Sequence, residues 1–403
     1  MAVAAAGTVT GARLRDESII RLGGYGDNWH MSWAADDSQV VSLCDGSGWP
    51  DTRRELYNSR LYRILGSPPQ VRFEDVAGYP TLLSELRKPG GFSRYYAFGT
   101  LALDGRIYQF LSTPNVPFDQ PDPRFVGAKL IYSPDDGVSW RNQDDTSPVV
   151  WEAWDTRDKE NMVFFEEDGE AFQLLTVGQM GKNYESNTDG YIYVYSPNGN
   201  TDGTMNELVM FRVGTEKIRD RSAYEFFAGN RNGAATWTHD IDRRAAVHTF
   251  PSGWVNTKVH PYAWQPSVVY NEARGVYMMA NWGMGCAPDG LWFGKPSYLG
   301  LWTAPNPWGP WAQIHEETSW TPGGDSGARA YSPQIAPKWI APNGGSFWLV
   351  WTDFQSTVDT ARADAEQQRI VSEASSEAEL IDGLSALRPY YAFNLQRVDL
   401  EIK

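Results

Sequence analysis

The chain has few of the residues that build disulfide frameworks and closed metal sites. Its 403 residues include two cysteines and five histidines. No spacing of these residues matches a closed zinc site, and the acidic loops lack the EF-hand pattern. The sequence therefore predicts no cofactor, and a structural cation is the alternative that stays open.

Positive charge is also scarce relative to negative charge. Lys and Arg number 35 against 50 Asp and Glu, which gives a formal net charge of −15 and a pI of about 4.8. Nucleic-acid binding depends on clustered Lys and Arg at phosphates, so this balance argues against a nucleic-acid partner. It favours a neutral or polar substrate over a polyanion.

Long apolar runs are missing as well. No stretch approaches the roughly 20 residues that span a bilayer, so we expect no membrane partner. Residues 1–7 are rich in alanine but too short for a signal peptide. We expect a monomer that is extracellular after signal removal, and a cytoplasmic location stays open.

What the chain has in quantity is aromatic side chains, with 18 Trp, 20 Tyr and 17 Phe, and an internal repeat. A Gly/Asp/Asn turn, an apolar strand, a loop and a second strand, usually ending near a Pro, recur five times. Radial repetition lets a long all-β chain avoid exposed sheet edges. We therefore predict an all-β, five-bladed β-propeller that forms one domain over residues 1–403. The paired segments are 36–43 with 61–68, 104–111 with 129–134, 168–177 with 191–197, 271–282 with 299–305, and 343–352 with 391–402.

Two segments depart from the repeat. The last blade lacks its own outer strand, so we expect the N-terminal strand near 12–22 to close the ring. Residues of about 355–388 are rich in Ala, Glu, Asp and Ser, which predicts a helical insertion in the last blade, either a decoration or a lid. Cys44 and Cys286 fall in blades one and four, which are not neighbours, so we expect no disulfide.

The antiparallel strands of each blade decide which loops share a face. Innermost strands begin, and second strands join third strands, on one face; third strands join fourth strands on the other. One predicted turn matches an Asp-box, in which the Asp carboxylate accepts hydrogen bonds from backbone N–H groups and Gly takes a positive φ. It contains Ser133, Asp135, Gly137, Ser139 and Trp140. The register places this turn away from the site face, so we interpret it as structural.

The predicted site face is polar and aromatic, which is the composition of a sugar-binding pocket. Packing between blades is the alternative for the tryptophans, and a surface turn is the alternative for the Lys182 segment. The predicted substrate-binding residues are Trp29, Arg94, Tyr95, Lys182, Tyr184, Trp264, Gln265 and Tyr331.

Glycoside cleavage needs two carboxyl groups, one acid and one base or nucleophile. Asp27, on the first innermost strand, is our first choice for the base or nucleophile. Glu225 lies between Tyr224 and two Phe residues, where desolvation raises a carboxyl pKa, and is our first choice for the acid; pairing with an Arg is the structural alternative. Asp45 is the reserve carboxylate. His30 is predicted to bind the substrate or a cation, or to fill the core.

Several segments of the chain resemble five-bladed propellers among the carbohydrate-active enzymes, in particular Asp-box-containing propellers related to bacterial endo-D-arabinanases. These segments are residues 26–33, 133–140, 222–229, 264–282 and 332–339. The resemblance implies a glycan-cleaving enzyme whose carboxylates, Asp27 and Glu225 here, lie at the axial depression. A carbohydrate substrate is therefore the expected partner.

The sequence leaves two rivals to a glycoside hydrolase. In a polysaccharide lyase on the same fold, His30 or Tyr95 would take the proton and Arg94 or Lys182 would neutralise a uronate. A lectin-like propeller would bind glycans without cleaving them.

Overall fold

The computed structural model describes residues 7–49, 55–84, 86, 93–118, 120–199, 204–231, 234–251, 263–288 and 290–403. Five separate antiparallel sheets account for the strands in these ranges. Inner strands of each sheet contact those of the next, and the fifth sheet contacts the first, so the sheets form a closed ring. The five-bladed β-propeller is thus confirmed. No helix in the described ranges is long and apolar enough to cross a membrane.

The described chain begins with a long strand, β1 (Val9–Arg21), which belongs to the last blade. Blade one follows, with β2 (Tyr25–Asp27), β3 (Met31–Trp33), β4 (Gln39–Gly48), β5 (Tyr57–Ser67), β6 (Gln70–Asp75) and β7 (Leu82–Leu83). Blade two contains β8 (Tyr96–Leu103), β9 (Arg106–Pro114), β10 (Phe125–Ser133), β11 (Arg141–Asn142) and β12 (Phe164–Phe165). Both β2 and β3 pair with β4, so the innermost position of blade one is an interrupted strand.

The other three blades follow the same plan. Blade three has β13 (Thr176–Val177), β14 (Tyr191–Asn198), β15 (Thr204–Gly214), β16 (Glu225–Arg231), β17 (Ala234–Thr238) and β18 (His248–Thr249). Blade four has β19 (Ser267–Asn271), β20 (Val276–Gly283), β21 (Ser297–Ala304) and β22 (Ala312–Trp320). Blade five has β23 (Ala330–Ile335), β24 (Ser346–Asp353) and β25 (Asn394–Ile402), and β1 pairs with β25 as its outermost strand.

The register predicted for blade three was wrong by one strand. The repeat made 168–177 the second strand and 191–197 the third, whereas β13 is innermost and β14 is second. An Asp-Gly turn at 168–169 precedes the innermost strand of this blade and imitates the turn that precedes the second strand elsewhere. Because neighbouring strands are antiparallel, a slip of one strand exchanges the two faces of the ring for every loop that follows.

The turn between β10 and β11 is built as its sequence requires. Asp135 accepts hydrogen bonds from the Ser139 backbone N–H at 2.7 Å and the Ser139 hydroxyl at 2.6 Å. Gly137 has a φ of +94°, and Trp140 is buried beneath the turn. The opposite end of β10, at Phe125, lines the axial depression described below. The turn therefore lies on the far face.

A helical insertion joins β24 to β25. It consists of α1 (Thr360–Glu373) and α2 (Glu377–Leu387), and Ser376 caps α2 by accepting the Glu379 N–H at 3.2 Å. Leu380 and Leu384 of α2 are buried against Leu56 of blade one. The insertion thus packs across the boundary between blades five and one.

Candidate functional site

A depression of about 570 Å³ opens at one end of the propeller axis, which is within the usual size of small-ligand sites. Its walls come from the starts of innermost strands and from the loops between second and third strands of blades one, two, four and five. The helical insertion supplies part of the rim. Two of the four exposed large apolar side chains in the described ranges, Leu86 and Trp292, line it.

Two aspartates lie together in the depression because of the pairing of β2 with β4. Asp27 ends β2 opposite Cys44, and Asp45 is the next residue along β4. Asp45 has a φ of +44°, and Asn28, which follows Asp27, has a φ of +56°. A non-glycine residue in the left-handed region costs free energy, and such strain is concentrated at functional sites.

Asp27 is held by three donors and is almost removed from water, at 8% exposure. The Tyr331 hydroxyl donates to its Oδ2 at 2.6 Å, and the Asn28 amide donates to its Oδ1 at 2.8 Å. The Tyr391 hydroxyl also bonds this carboxylate. Burial, together with the negative charge of Asp45, raises the pKa of Asp27 to about 8 against the opposing effect of these donors. Burial therefore favours the protonated form of Asp27.

Asp45 has a more balanced environment. Burial raises the pKa of Asp45 above its ordinary value, although the Arg94 guanidinium and the hydrogen bond from Asn58 oppose this effect. The Asn58 amide donates to Oδ1 at 3.0 Å. The Arg94 guanidinium and the Asn58 amide both act in favour of the ionised form of Asp45.

Aromatic rings form the wall beside the aspartates. Trp264 stacks on Trp282 with centroids 5.4 Å apart and planes 20° apart, and Trp282 contacts Tyr331 at 5.6 Å. Trp264 is only half-buried, and Gln265, which follows it, also lines the depression. Such rings stack on the C–H faces of sugars, while the neighbouring polar groups bind hydroxyls.

The structure corrects the placement of Glu225. This residue begins β16 and pairs with Arg212 of β15, with Oε2 and Nε 2.7 Å apart. Arg212 lies near the end of β15, which pairs with the start of β14 at Tyr191. The start of β14 is on the face away from the depression, so Arg212 and Glu225 are on that face too. The slip in the register of blade three had assigned this segment to a connection on the site face.

The same slip explains Lys182 and Tyr184, which lie between β13 and β14 and therefore on the far face. Lys182 faces Asp37 with Nζ 3.9 Å from Oδ1, and Asp37 belongs to the turn before β4. Tyr184 is buried in the core shared by blades two and three. Neither residue lines the depression.

Three further predicted site residues lie beneath or beside the depression rather than in it. Trp29 is fully buried between Trp49 and Phe393, which is the packing alternative. Tyr95 is buried in blade two, and its hydroxyl donates to Glu152 Oε2 at 2.9 Å. His30 lies below Asn28 on the axis, where burial lowers its pKa to about 3.

His30 lines a second, much smaller cavity on the axis, with room for about one water molecule. Its Nε2, the Gln334 Nε2 and the Thr176 hydroxyl have no hydrogen-bond partner within the described ranges. Thr100 and Ser267 also line this cavity, so the side chains named here are all neutral. A divalent cation such as Ca²⁺ is usually bound by at least one carboxylate, and none among the described residues lines this cavity. In the same part of the chain, no cluster of three His, Cys, Asp or Glu residues is close enough to hold a metal. Cys44 and Cys286 are free and buried.

Of the twelve residues predicted for the site, the structure brings six into the depression: Asp27, Asp45, Arg94, Trp264, Gln265 and Tyr331. Sequence reasoning missed Tyr391, whose hydroxyl also donates to the Asp45 carbonyl oxygen at 3.3 Å. It also missed Arg388 and Phe354 at the two ends of the insertion. Their only sequence signal is their position at the ends of a segment that interrupts a loop on the site face.

The fold and this site define a five-bladed propeller with a pair of interacting aspartates in an aromatic axial depression. No protein-family model and no curated protein matches the chain. Among solved structures it is similar to a Bacteroides ovatus protein provisionally described as a hydrolase, at 13% identity and a TM-score of 0.48, over 94% of this chain and 87% of that one.

Two further solved structures with propeller similarity carry more specific names. An α-L-arabinofuranosidase from Podospora anserina is 11% identical with a TM-score of 0.42, over 98% of this chain and 96% of that one. A xylan β-1,4-xylosidase from Bacillus halodurans is 8% identical with a TM-score of 0.46, over 86% of this chain and 52% of that one. At such identities these names describe those proteins and not the substrate of this chain.

Proposed function

We propose that this protein is a glycoside hydrolase that uses Asp27 and Asp45 as its two carboxyl groups. The observation that carries the proposal is the pair itself: two buried, interacting aspartates in the axial depression, with the Tyr331 hydroxyl bonded to Asp27 and the Asn58 amide bonded to Asp45. Environments that separate two carboxyl pKa values distinguish the acid from the base in such enzymes. The roles first expected from the sequence are therefore changed, with Asp27 as the acid.

In the proposed reaction, Asp27 gives its proton to the glycosidic oxygen as the C–O bond breaks. Asp45 either removes a proton from the attacking water or attacks the anomeric carbon itself, after which water releases the sugar. Trp264 and Gln265 are placed to bind the sugar beside the pair. The anomer released first, followed by NMR, distinguishes the two routes because they give opposite configurations.

The rival lyase mechanism finds less support in this geometry. Of the four residues considered for this mechanism, only Arg94 lines the depression. His30 lies below it, Tyr95 is buried in blade two, and Lys182 is on the far face. Burial raises the pKa of each tyrosine that lines the depression, which makes their hydroxyls poor bases. These tyrosines are Tyr25, Tyr96, Tyr331 and Tyr391.

The test is a screen of the purified protein against diverse polysaccharides, with products identified by mass. We expect products that have gained water, and a loss of at least about a hundredfold in kcat for Asp27→Asn and Asp45→Asn. Glu225→Gln is the matched control because it removes a carboxylate on the far face. Products that lack the added water and absorb ultraviolet light would show a lyase, and binding without turnover would show a lectin.

A further inference from the structure

Arg388 is a nearly buried cation in the wall of the depression. It follows α2 directly and is 2% exposed. Its guanidinium lies over the ring of Phe354, 4.0 Å from the centroid, and the residue lines the depression together with Asp364 and Gln367 of α1. A charge in this position needs close partners to offset its lost hydration.

The protein supplies Arg388 with only part of that compensation. One nitrogen, Nη1, donates to the Gln367 side-chain oxygen, which is neutral. The only carboxylate paired with it in the described ranges belongs to Asp364, 3.7 Å from Nη2, and this side chain is 79% exposed. Water screens such a pair strongly. The Nε of Arg388 has no hydrogen-bond partner in the described part of the chain.

The second arginine of the depression, Arg94, differs in this respect. Arg94 lies close enough to Asp45 to lower the pKa of that carboxyl, so its charge is balanced within the site. Of the two arginines that line the described depression, Arg388 is therefore the one without a buried counter-charge. A guanidinium presents a planar set of N–H groups that matches a carboxylate with two parallel hydrogen bonds.

Arg388 lines the same depression as the aspartate pair. Tyr25 lies within electrostatic range of Arg388, Asp27 and Asp45, and it packs on Tyr391 with ring centroids 4.8 Å apart. Because Arg388, Asp27 and Asp45 line the same depression, a single glycan bound there can contact all three residues.

We propose that Arg388 binds the carboxylate of a uronic acid residue in the substrate. This inference rests on the proposed glycoside hydrolase function and narrows its substrate class to acidic glycans. The substrate carboxylate takes the place of Asp364 beside Nη2 of the guanidinium. Because the chain carries a net charge of −15 and three aspartates line the depression, the favoured glycan carries one carboxylate at this position rather than one on every sugar.

The experiment compares each acidic glycan with its own neutral form. Oligosaccharides from glucuronoxylan and from other uronate-containing polysaccharides are tested beside the same material with its carboxyl groups reduced to alcohols. Binding is followed by tryptophan fluorescence, since Trp264, Trp282 and Trp292 line the depression, and cleavage is followed by product mass. We expect at least one acidic oligosaccharide to bind about tenfold to a hundredfold more tightly than its reduced form.

Variants show whether the preference comes from Arg388. Arg388→Met is expected to abolish the preference while leaving the affinity for reduced glycans within about threefold, and Arg388→Lys to retain part of it. The matched control is Arg369→Met, which removes an exposed arginine that pairs with Glu366 and Glu373 on the same helix. If Arg388→Met fails to fold, Arg388→Lys and Asp364→Asn are measured, and Asp364→Asn is expected to increase the preference.

The outcomes separate the inference from the function on which it rests. Cleavage of neutral glycans with no preference for any acidic form overturns the role of Arg388 and leaves the hydrolase intact. A preference that survives Arg388→Met also overturns it. Tight binding of acidic glycans without cleavage supports Arg388 as the residue that binds their carboxylate and refutes the proposed hydrolase function. Absence of binding to every glycan refutes both the role of Arg388 and the hydrolase function.

Discussion

The hydrogen bond from Tyr331 to Asp27 provides a direct test of the proposed acid. Tyr331→Phe removes the hydroxyl that donates at 2.6 Å to Asp27 Oδ2, while the phenyl ring keeps its contacts with Trp282 and Phe293. The hydroxyl stabilises the ionised form of Asp27, so its loss raises the pKa of Asp27 further. If Asp27 is the general acid, the enzyme stays active to a higher pH.

The size of this shift follows from the burial of both partners. A hydrogen bond to a charged group contributes about 1.5–3 kcal/mol, and about 1.4 kcal/mol corresponds to one pKa unit. The protonated carboxyl keeps part of the interaction with the hydroxyl, and Asn28 and Tyr391 still bond Asp27. We therefore expect the alkaline limb of kcat/KM to move upward by roughly one pH unit.

The assay is a pH profile of kcat/KM for the wild type and the variant on one cleaved glycan. Tyr132→Phe is the matched control because it removes a hydroxyl that donates to a carboxylate, Asp145, in blade two. It should leave the profile unchanged. An alkaline limb that stays in place or moves to lower pH in a folded Tyr331→Phe protein would refute the assignment of Asp27 as the acid.

Three further predictions concern stability. Burial raises the pKa of Asp27 above its unfolded value, so between about pH 4 and pH 8 ionisation of this carboxyl favours the unfolded chain and the wild type loses stability as pH rises. The Tm of Asp27→Asn should therefore rise relative to that of the wild type across this range. A Tm difference that is independent of pH would contradict this prediction. Glu225→Gln breaks the pair with Arg212 and should lower stability by about 1 kcal/mol in chemical denaturation with unchanged kcat/KM. Leu384→Ala should lower the stability of the packed insertion by about 2–4 kcal/mol and increase proteolysis within 355–388 before the propeller itself unfolds. Unchanged proteolysis of this segment would mean that the packing of Leu384 does not hold the insertion in place.

Much of the fold was predictable because its determinants are periodic. Turn residues, short apolar strands and aromatic side chains recur often enough along the chain to reveal five blades even though one blade was read out of register. The turn at Asp135 was equally readable, since its carboxylate, glycine and tryptophan act within eight residues of one another. Local chemistry of this kind leaves a local signal.

The site was predictable where it depends on the starts of innermost strands and on the end of β4 that carries Asp45. Asp27, Trp264 and Tyr331 lie in the depression because they occupy that position in three different blades. Glu225 had a convincing aromatic neighbourhood, yet the slip of one strand in blade three placed it on the wrong face. Its neighbourhood proved to be core packing beside an ion pair with Arg212.

The sequence by itself determined the ring of five blades, the helical insertion and the kind of side chain that innermost strands present to the axis. Only the tertiary structure decided that Asp45 stands beside Asp27, that Tyr331 and Tyr391 donate to Asp27, and that Arg388 enters the depression from the insertion. The physical reason is that the carboxyl pKa values and the pairing of charges depend on burial and on contacts between residues more than 300 positions apart. Composition and repeat spacing carry no record of such contacts.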